Sequence, residues 1–173
     1  MKVAVLSDVH GNADALAAVL ADIRLQSPDA TLNLGDCFSG PLDVQGTADL
    51  LAGADIALTV RGNHDRWLLS ADQGDDWDAA ARPALSRETL DWLDTLPAAA
   101  VFEDIFACHA CPSDDLSGWM EVAQPDGSRV RAGMDHITRL AEGVPQPVML
   151  CGHTHVARTL NLKDGRLIVN PGS

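Results

Sequence analysis

Short apolar runs recur along this chain, each closed by a cluster of polar, turn-forming residues, and helical stripes separate the early ones. Lys2-Val3-Ala4-Val5-Leu6-Ser7 is apolar and rich in branched residues, which predicts a first strand. Leu16, Val19, Leu20 and Ile23 then fall on one stripe and predict an amphipathic helix over 13–25. The same reasoning predicts strands at 31–34 and 56–60 around a helix at 43–51. Strands and helices alternating at this spacing argue for right-handed βαβ units and a parallel sheet. Between 66 and 97 the helical stripes are looser, with acidic stretches between them. Pro83, Ser86 and Thr89 mark a fresh helix start near 86. A hairpin is predicted from 101–102 and 105–108, a helix at 134–141, a buried strand at 148–151, and two last strands at 158–162 and 166–169. The stretch 114–133 is polar and turn-rich, which predicts an excursion over the surface or near a site. No repeat, low-complexity segment or linker divides residues 1–173, so a single domain is expected.

Each predicted strand delivers metal-type ligands at its carboxyl end: Asp8 and His10, then Asp36, then Asn63 with His64, then His109, then His153 and His155. Open α/β sheets place their ligand crevices at such ends. In an extended segment, residues two apart point the same way, so Asp8 and His10 would share a face, as would His153 and His155. The stretch Gly62-Asn63-His64-Asp65 adds a turn glycine, a neutral oxygen, and an imidazole beside a carboxylate. Taken alone, each cluster fits a capped turn or a surface histidine about as well. Clusters of this kind at five strand ends argue jointly for a metal centre.

Composition narrows the partners. The 173-residue chain carries 12 Lys and Arg against 25 Asp and Glu, a formal net charge of −13, which argues against a nucleic-acid polymer as ligand. No apolar run has the length of a membrane span, so no membrane partner is expected. The first residues enter a strand directly, without the charged and apolar regions of a signal peptide, and a cytoplasmic location is expected. The cysteines are Cys37, Cys108, Cys111 and Cys151. The spacing of Cys108 and Cys111 fits a redox motif or half a zinc site, but no second pair completes it. Cys37, Cys108 and Cys151 each adjoin a predicted ligand and would turn to the opposite face, as small core residues. His136 stands outside every motif and is expected to be an ordinary surface or core histidine.

The series Asp-x-His, Gly-Asp, Gly-Asn-His-Asp, a lone His and Gly-His-x-His, met in order from Asp8 to His155, resembles the calcineurin-like metallophosphoesterases. Within that family it is similar to the small bacterial YfcE-type phosphodiesterases that open with Ser-Asp-x-His-Gly-Asn, here Ser7 to Asn12. The resemblance implies an α/β fold, a four-layer α/β/β/α sandwich with two mixed sheets. It also implies that Asp8, His10 and His155 hold one metal, that Asn63, His109 and His153 hold another, and that Asp36 bridges them. N and O donors without thiolate suit two divalent transition-metal ions, Mn, Fe, Zn or Ni. Two such ions bring about four positive charges, and Asp8, Asp36 and a hydroxide cancel about three, which leaves an anion trap.

The implied activity is hydrolysis of a small phosphoester, nucleotide-like or otherwise and foremost a phosphodiester, by a metal-bridging hydroxide. His64, oriented by Asp65, would protonate the leaving group or stabilise the transition state. Asn12 and Arg66 are candidate substrate contacts, set against a turn-forming Asn and a solvated Arg. The alternatives are a phosphomonoesterase or a non-catalytic metal-binding scaffold of the same fold. Three features depart from the family pattern. Ala110 follows His109 where relatives commonly have Gly, and 111–133 matches nothing general in the family and could hold a substrate-selecting lid. Relatives usually continue past Ser173 into a further strand pair. Without that pair a sheet edge would be open, which favours a homodimer.

Overall fold

The computed structural model describes residues 1–70 and 74–173. The first half winds β1 (Val3–Leu6), α1 (Ala13–Gln26), β2 (Ala30–Asn33), α2 (Val44–Ala52) and β3 (Leu58–Thr59) into a sheet of order β1-β2-β3. Both pairings are parallel, with Leu6 opposite Asn33 and Leu32 opposite Leu58. This sheet is therefore parallel throughout among the described residues, where a mixed one was expected. The cause is connectivity, since a helical crossover joins each pair of successive strands, α1 between β1 and β2 and α2 between β2 and β3. Asn12 caps α1 by accepting the backbone N–H of Ala15, and Asp43 caps α2 through that of Gly46.

Four helical segments lead to the second sheet: α3 (Asn63–Leu69), α4 (Asp76–Ala81), a 3₁₀ turn at Arg82–Ala84, and α5 (Arg87–Thr95). The helix expected from 66 thus begins at Asn63, directly on the predicted ligand stretch. Then come β4 (Ala99–Phe102), β5 (Ile105–Cys108), the hairpin β6 (Glu121–Ala123) and β7 (Arg129–Arg131), α6 (Met134–Leu140), β8 (Val148–Leu150), β9 (Arg158–Asn161) and β10 (Leu167–Asn170). The second sheet has the order β4-β5-β8-β10-β9. Its centre, β5-β8-β10, is parallel, and its two edge pairings are antiparallel.

Period-two alternation explains the layering. Leu32 and Leu34 of the first sheet meet Ile105, Ala107 and Leu150 of the second in a dry seam between the sheets. Phe106, Cys108, Met149 and Cys151 alternate to the opposite face and pack with Ile137 of α6. On the other side, Leu6, Leu16, Leu20, Leu51, Leu68 and Leu93 join the first sheet to its helices. The result is the α/β/β/α sandwich, and the carboxyl ends of β1, β2, β3, β5 and β8 converge on one rim.

The excursion is more than a surface loop. Trp119 and Met120 are buried in the outer core, and the Trp119 indole donates to the carbonyl of Ile137 at 3.1 Å. Asp115 forms a two-point pair with Arg66, at 2.7 and 2.9 Å. Glu121, a buried carboxylate, accepts from Arg158 and from the Thr154 hydroxyl, which ties the excursion to the loop after β8. Removing the carboxylate strands both donors, so Glu121→Ala is expected to cost about 2 kcal/mol of stability. Denaturant unfolding of the variant beside wild type checks this, and an unshifted midpoint would show that the link carries no stability.

Candidate metal centre

Ligand placement comes from left-handed loops, not from extended strand ends. Seven described non-glycine residues have positive φ, and five of them are predicted ligands: Asp8 (55°), His10 (49°), Asp36 (55°), His153 (66°) and His155 (58°). Such backbone costs about 1 kcal/mol or more per residue and persists where the surroundings fix it. Here the surroundings are other loops. The N–H groups of Asp8, His10 and Gly11 donate to the carbonyls of Gly35, Asp36 and Cys37, and Gly152 N–H donates to His109 O. Gly62 is required because a Cβ there would collide with the Asp36 carboxylate.

The left-handed turns separate the two histidines of Gly152-His153-Thr154-His155, which the strand argument had put on one face. His155 joins Asp8 and His10, while His153 joins Asp36 and His109; within each trio the ligand atoms lie within 4.8 Å of one another. In the first group, His155 Nε2 is 3.3 Å from Asp8 Oδ1 and 3.2 Å from His10 Nε2. In the second, His109 Nε2 is 3.1 Å from Asp36 Oδ2, and Asn63 Oδ1 is 3.1 Å from His109 Nε2 and 3.0 Å from His153 Nδ1. Asp36 Oδ2 also lies 3.8 Å from His10 Nε2, between the two groups.

Four of the seven candidate ligands, Asp8, Asp36, His10 and His109, have one atom anchored and one turned toward the centre. Ser7 donates its hydroxyl to Asp8 Oδ2, and the His153 backbone N–H is shared between Oδ2 (3.0 Å) and Oδ1 (3.2 Å), with Oδ1 toward His155. Asp36 Oδ1 takes the His64 backbone N–H at 2.9 Å, which leaves Oδ2. His10 Nδ1 donates to Ser39 O at 2.6 Å and His109 Nδ1 to Leu34 O at 2.7 Å. In a neutral ring this fixes Nε2 as the lone-pair atom, the tautomer a metal needs. The Asn63 amide fits a cation with its oxygen inward, while the swapped amide, donating to both rings, fits a centre without one. N and O donors converging in this way suit divalent transition metals.

Asp65 does not orient His64. It is fully buried and accepts the backbone N–H groups of Asp36 (2.8 Å), Cys37 (2.9 Å) and Gly62 (3.0 Å), clamping the β2 and β3 loops together. Burial, with Asp36 next to it, raises its pKa. The partner of His64 is Asp78, whose two oxygens lie 3.0 and 3.1 Å from Nδ1. Asp78 is buried, also accepts the N–H of Asp75, and reaches His64 from the first turn of α4. In sequence it reads only as part of an acidic helix start; nothing there links it to a histidine fourteen positions earlier.

Asn12 caps α1, the plainer of its two expected roles, whereas Arg66 is paired with Asp115 and is not a solvated side chain. Ala110 is buried and is not among the left-handed residues, so Ala in place of Gly is accommodated. All four cysteines are free and buried, and burial pushes the Cys37, Cys108 and Cys151 thiols up, which removes them from thiolate chemistry. His136 lies on α6 with its Nε2 buried and unpartnered, away from both ligand groups.

Burial opposes charge on His109, but the adjoining Asp36 carboxylate overrides it and raises the imidazole to about 9. Burial likewise opposes charge on Asp36, and the neighbouring imidazoles hold it low. The metal-free centre at pH 7 therefore keeps a proton on His109 that an incoming cation must displace. Cation affinity is expected to rise with pH until His109 has titrated, near 9. Titration calorimetry with Mn²⁺ in two buffers of different ionisation enthalpy checks this, and identical heats in both would contradict it.

The family model described as the calcineurin-like phosphoesterase superfamily domain matches residues 1–173. An uncharacterized protein from Methanocaldococcus jannaschii is 33% identical, over 98% of this chain and 68% of its own length. A metallophosphoesterase from Sphaerobacter thermophilus superposes with a TM-score of 0.78 at 23% identity, over all of this chain and 76% of its own. Zinc-complexed Vps29 from Entamoeba histolytica gives 0.54 at 16% identity, over all of this chain and 74% of its own, and shows the shared fold alone. Among the described residues, no helix is long and apolar enough to cross a membrane. The chain belongs to the calcineurin-like phosphoesterase superfamily.

Proposed function

We propose that this chain is a dinuclear metal-dependent phosphoester hydrolase that acts on phosphodiesters. The observation that carries the reading is the position of Asp36 Oδ2, 3.1 Å from His109 Nε2 and 3.8 Å from His10 Nε2, with one ligand group on each side. A shared oxygen there suits two ions about 3.5–4 Å apart. When bound, divalent cations such as Mn²⁺ supply Lewis acidity toward the phosphoryl oxygens and acidify water. Asp8, His10 and His155 would hold one ion, and Asn63, His109 and His153 the other. With Nδ1 committed to Asp78, His64 has Nε2 free to carry a proton to the departing oxygen. Trp67 packs edge-on against that ring at 4.8 Å between centroids and limits its rotation.

The test is hydrolysis of bis-p-nitrophenyl phosphate by metal-stripped protein refilled with Mn²⁺, Zn²⁺, Ni²⁺ or Fe²⁺. Turnover is expected only after refilling. Asp36→Asn is expected to abolish it, because the shared oxygen loses its charge. His64→Ala is expected to lower kcat about 10²- to 10⁴-fold with metal content unchanged. Asp78→Asn should lower kcat at least about tenfold in the same assay. Two bound ions with no turnover would favour a metal-binding scaffold, and near-normal kcat in His64→Ala would remove that residue from the chemistry.

A further inference from the structure

Two cavities meet at the metal centre, and each takes its own share of the ligands. The first, about 730 Å³, is lined by Asp8, His10 and His155 together with the apolar Val9, Leu42 and Trp77. The second, about 630 Å³, is lined by Asn63 and His153 together with Trp67 and Leu116. His64 and Asp75 line both and stand at the seam. Leu42, Trp77 and Leu116 are 59%, 51% and 49% exposed, so their apolar surfaces are available to a ligand. Among the described residues, neither cavity is lined by a Lys or an Arg, and Asp75 adds a carboxylate to both.

We infer that the substrate is a phosphodiester with one phosphate and two apolar or aromatic arms, one arm in each cavity. The inference rests on the phosphoester hydrolase reading and names the substrate class of that same site. The two ester arms of a tetrahedral phosphorus held between the two ligand groups diverge from it, and in-line attack fixes only the leaving arm, opposite the incoming oxygen, so the other arm is free to enter the second cavity. A monoester would fill one cavity only. It would also bring nearly two negative charges at pH 7, since its second pKa is about 6, whereas a diester brings one. A second phosphate, as in a pyrophosphate or polyphosphate, would meet Asp75 and no basic side chain. Exposed Trp77 offers a planar apolar face for an aromatic arm. The step balances as hydrolysis: water oxygen joins phosphorus, one ester P–O bond breaks, and the departing oxygen takes a proton. The products are a phosphomonoester and an alcohol or phenol.

The experiment compares kcat/KM of the Mn²⁺-loaded protein on three esters with one leaving group: bis-p-nitrophenyl phosphate, methyl p-nitrophenyl phosphate and p-nitrophenyl phosphate. Wild type, Leu42→Ala, Trp77→Ala and Leu116→Ala are measured, with thermal melting to establish that each variant is folded. Leu42 and Leu116 lie in exposed loops, so their truncation keeps the test open if Trp77→Ala unfolds. The monoester is expected to be at least tenfold poorer than the two-armed diester. The ratio of two-armed to methyl diester should fall at least threefold in variants of both cavities. Turnover of methyl p-nitrophenyl phosphate with that ratio unchanged in every folded variant would overturn the two-arm inference and leave the hydrolase reading standing. A ratio that falls in variants of one cavity only would overturn the second arm. No metal-dependent turnover of any ester by wild type would overturn the hydrolase reading, and this inference with it.

Discussion

Two buried carboxylates, Asp8 and Asp36, lie 3.1–3.9 Å from the imidazoles of His10, His109 and His155, and the Asn63 amide oxygen lies 3.0–3.1 Å from those of His153 and His109, at the rim where two sheets meet. So many acceptor atoms converging on so small a volume repel one another unless positive charge lies between them. The rest of the structure is arranged to hold that convergence. Ser7 and the backbone of His153 fix the carboxylate of Asp8, the backbone of His64 fixes one oxygen of Asp36, and the carbonyls of Ser39 and Leu34 fix the rings of His10 and His109. Each anchor holds the atom pointing away from the centre and turns the other toward it. In the metal-free protein, a proton on His109 beside Asp36 supplies part of the missing positive charge.

This arrangement draws on the stability of the sandwich. Five left-handed ligand residues cost several kcal/mol together, and the dry seam of Leu32, Leu34, Ile105, Ala107 and Leu150 directly beneath them holds the strand ends in register. Asp65 acts at the same level. By accepting three backbone N–H groups from two loops, it sets the distance between Asp36 and the start of α3 and touches no ligand side chain. Glu121 plays the corresponding part on the second sheet, fastening the loop that holds His153 and His155.

The succession of strands and helices and the seven candidate ligands that gather at the rim were legible in the sequence, because a strand followed by a metal-type residue is a local signal and alternation of apolar positions is another; the layers followed from the family resemblance, and the order of strands within each sheet was not legible. The geometry between residues was not. Asp8 with His10, and His153 with His155, looked like pairs on one strand face, but left-handed turns set their directions, and the second pair divides between the two groups. Asp65 looked like the partner of His64 because it is next in sequence. The first turn of α3 points it back into the loops, and Asp78 arrives from another helix. The excursion looked polar, and its burial of Trp119 and Met120 depends on a surface that α6 supplies.

The most direct measurement is anomalous X-ray diffraction from crystals of the protein grown with Mn²⁺. Two peaks are expected, one among Asp8, His10 and His155 and one among Asn63, His109 and His153, with Asp36 Oδ2 touching both. A single peak, or two peaks with Asp36 bound to only one, would contradict a dinuclear centre built on that shared oxygen.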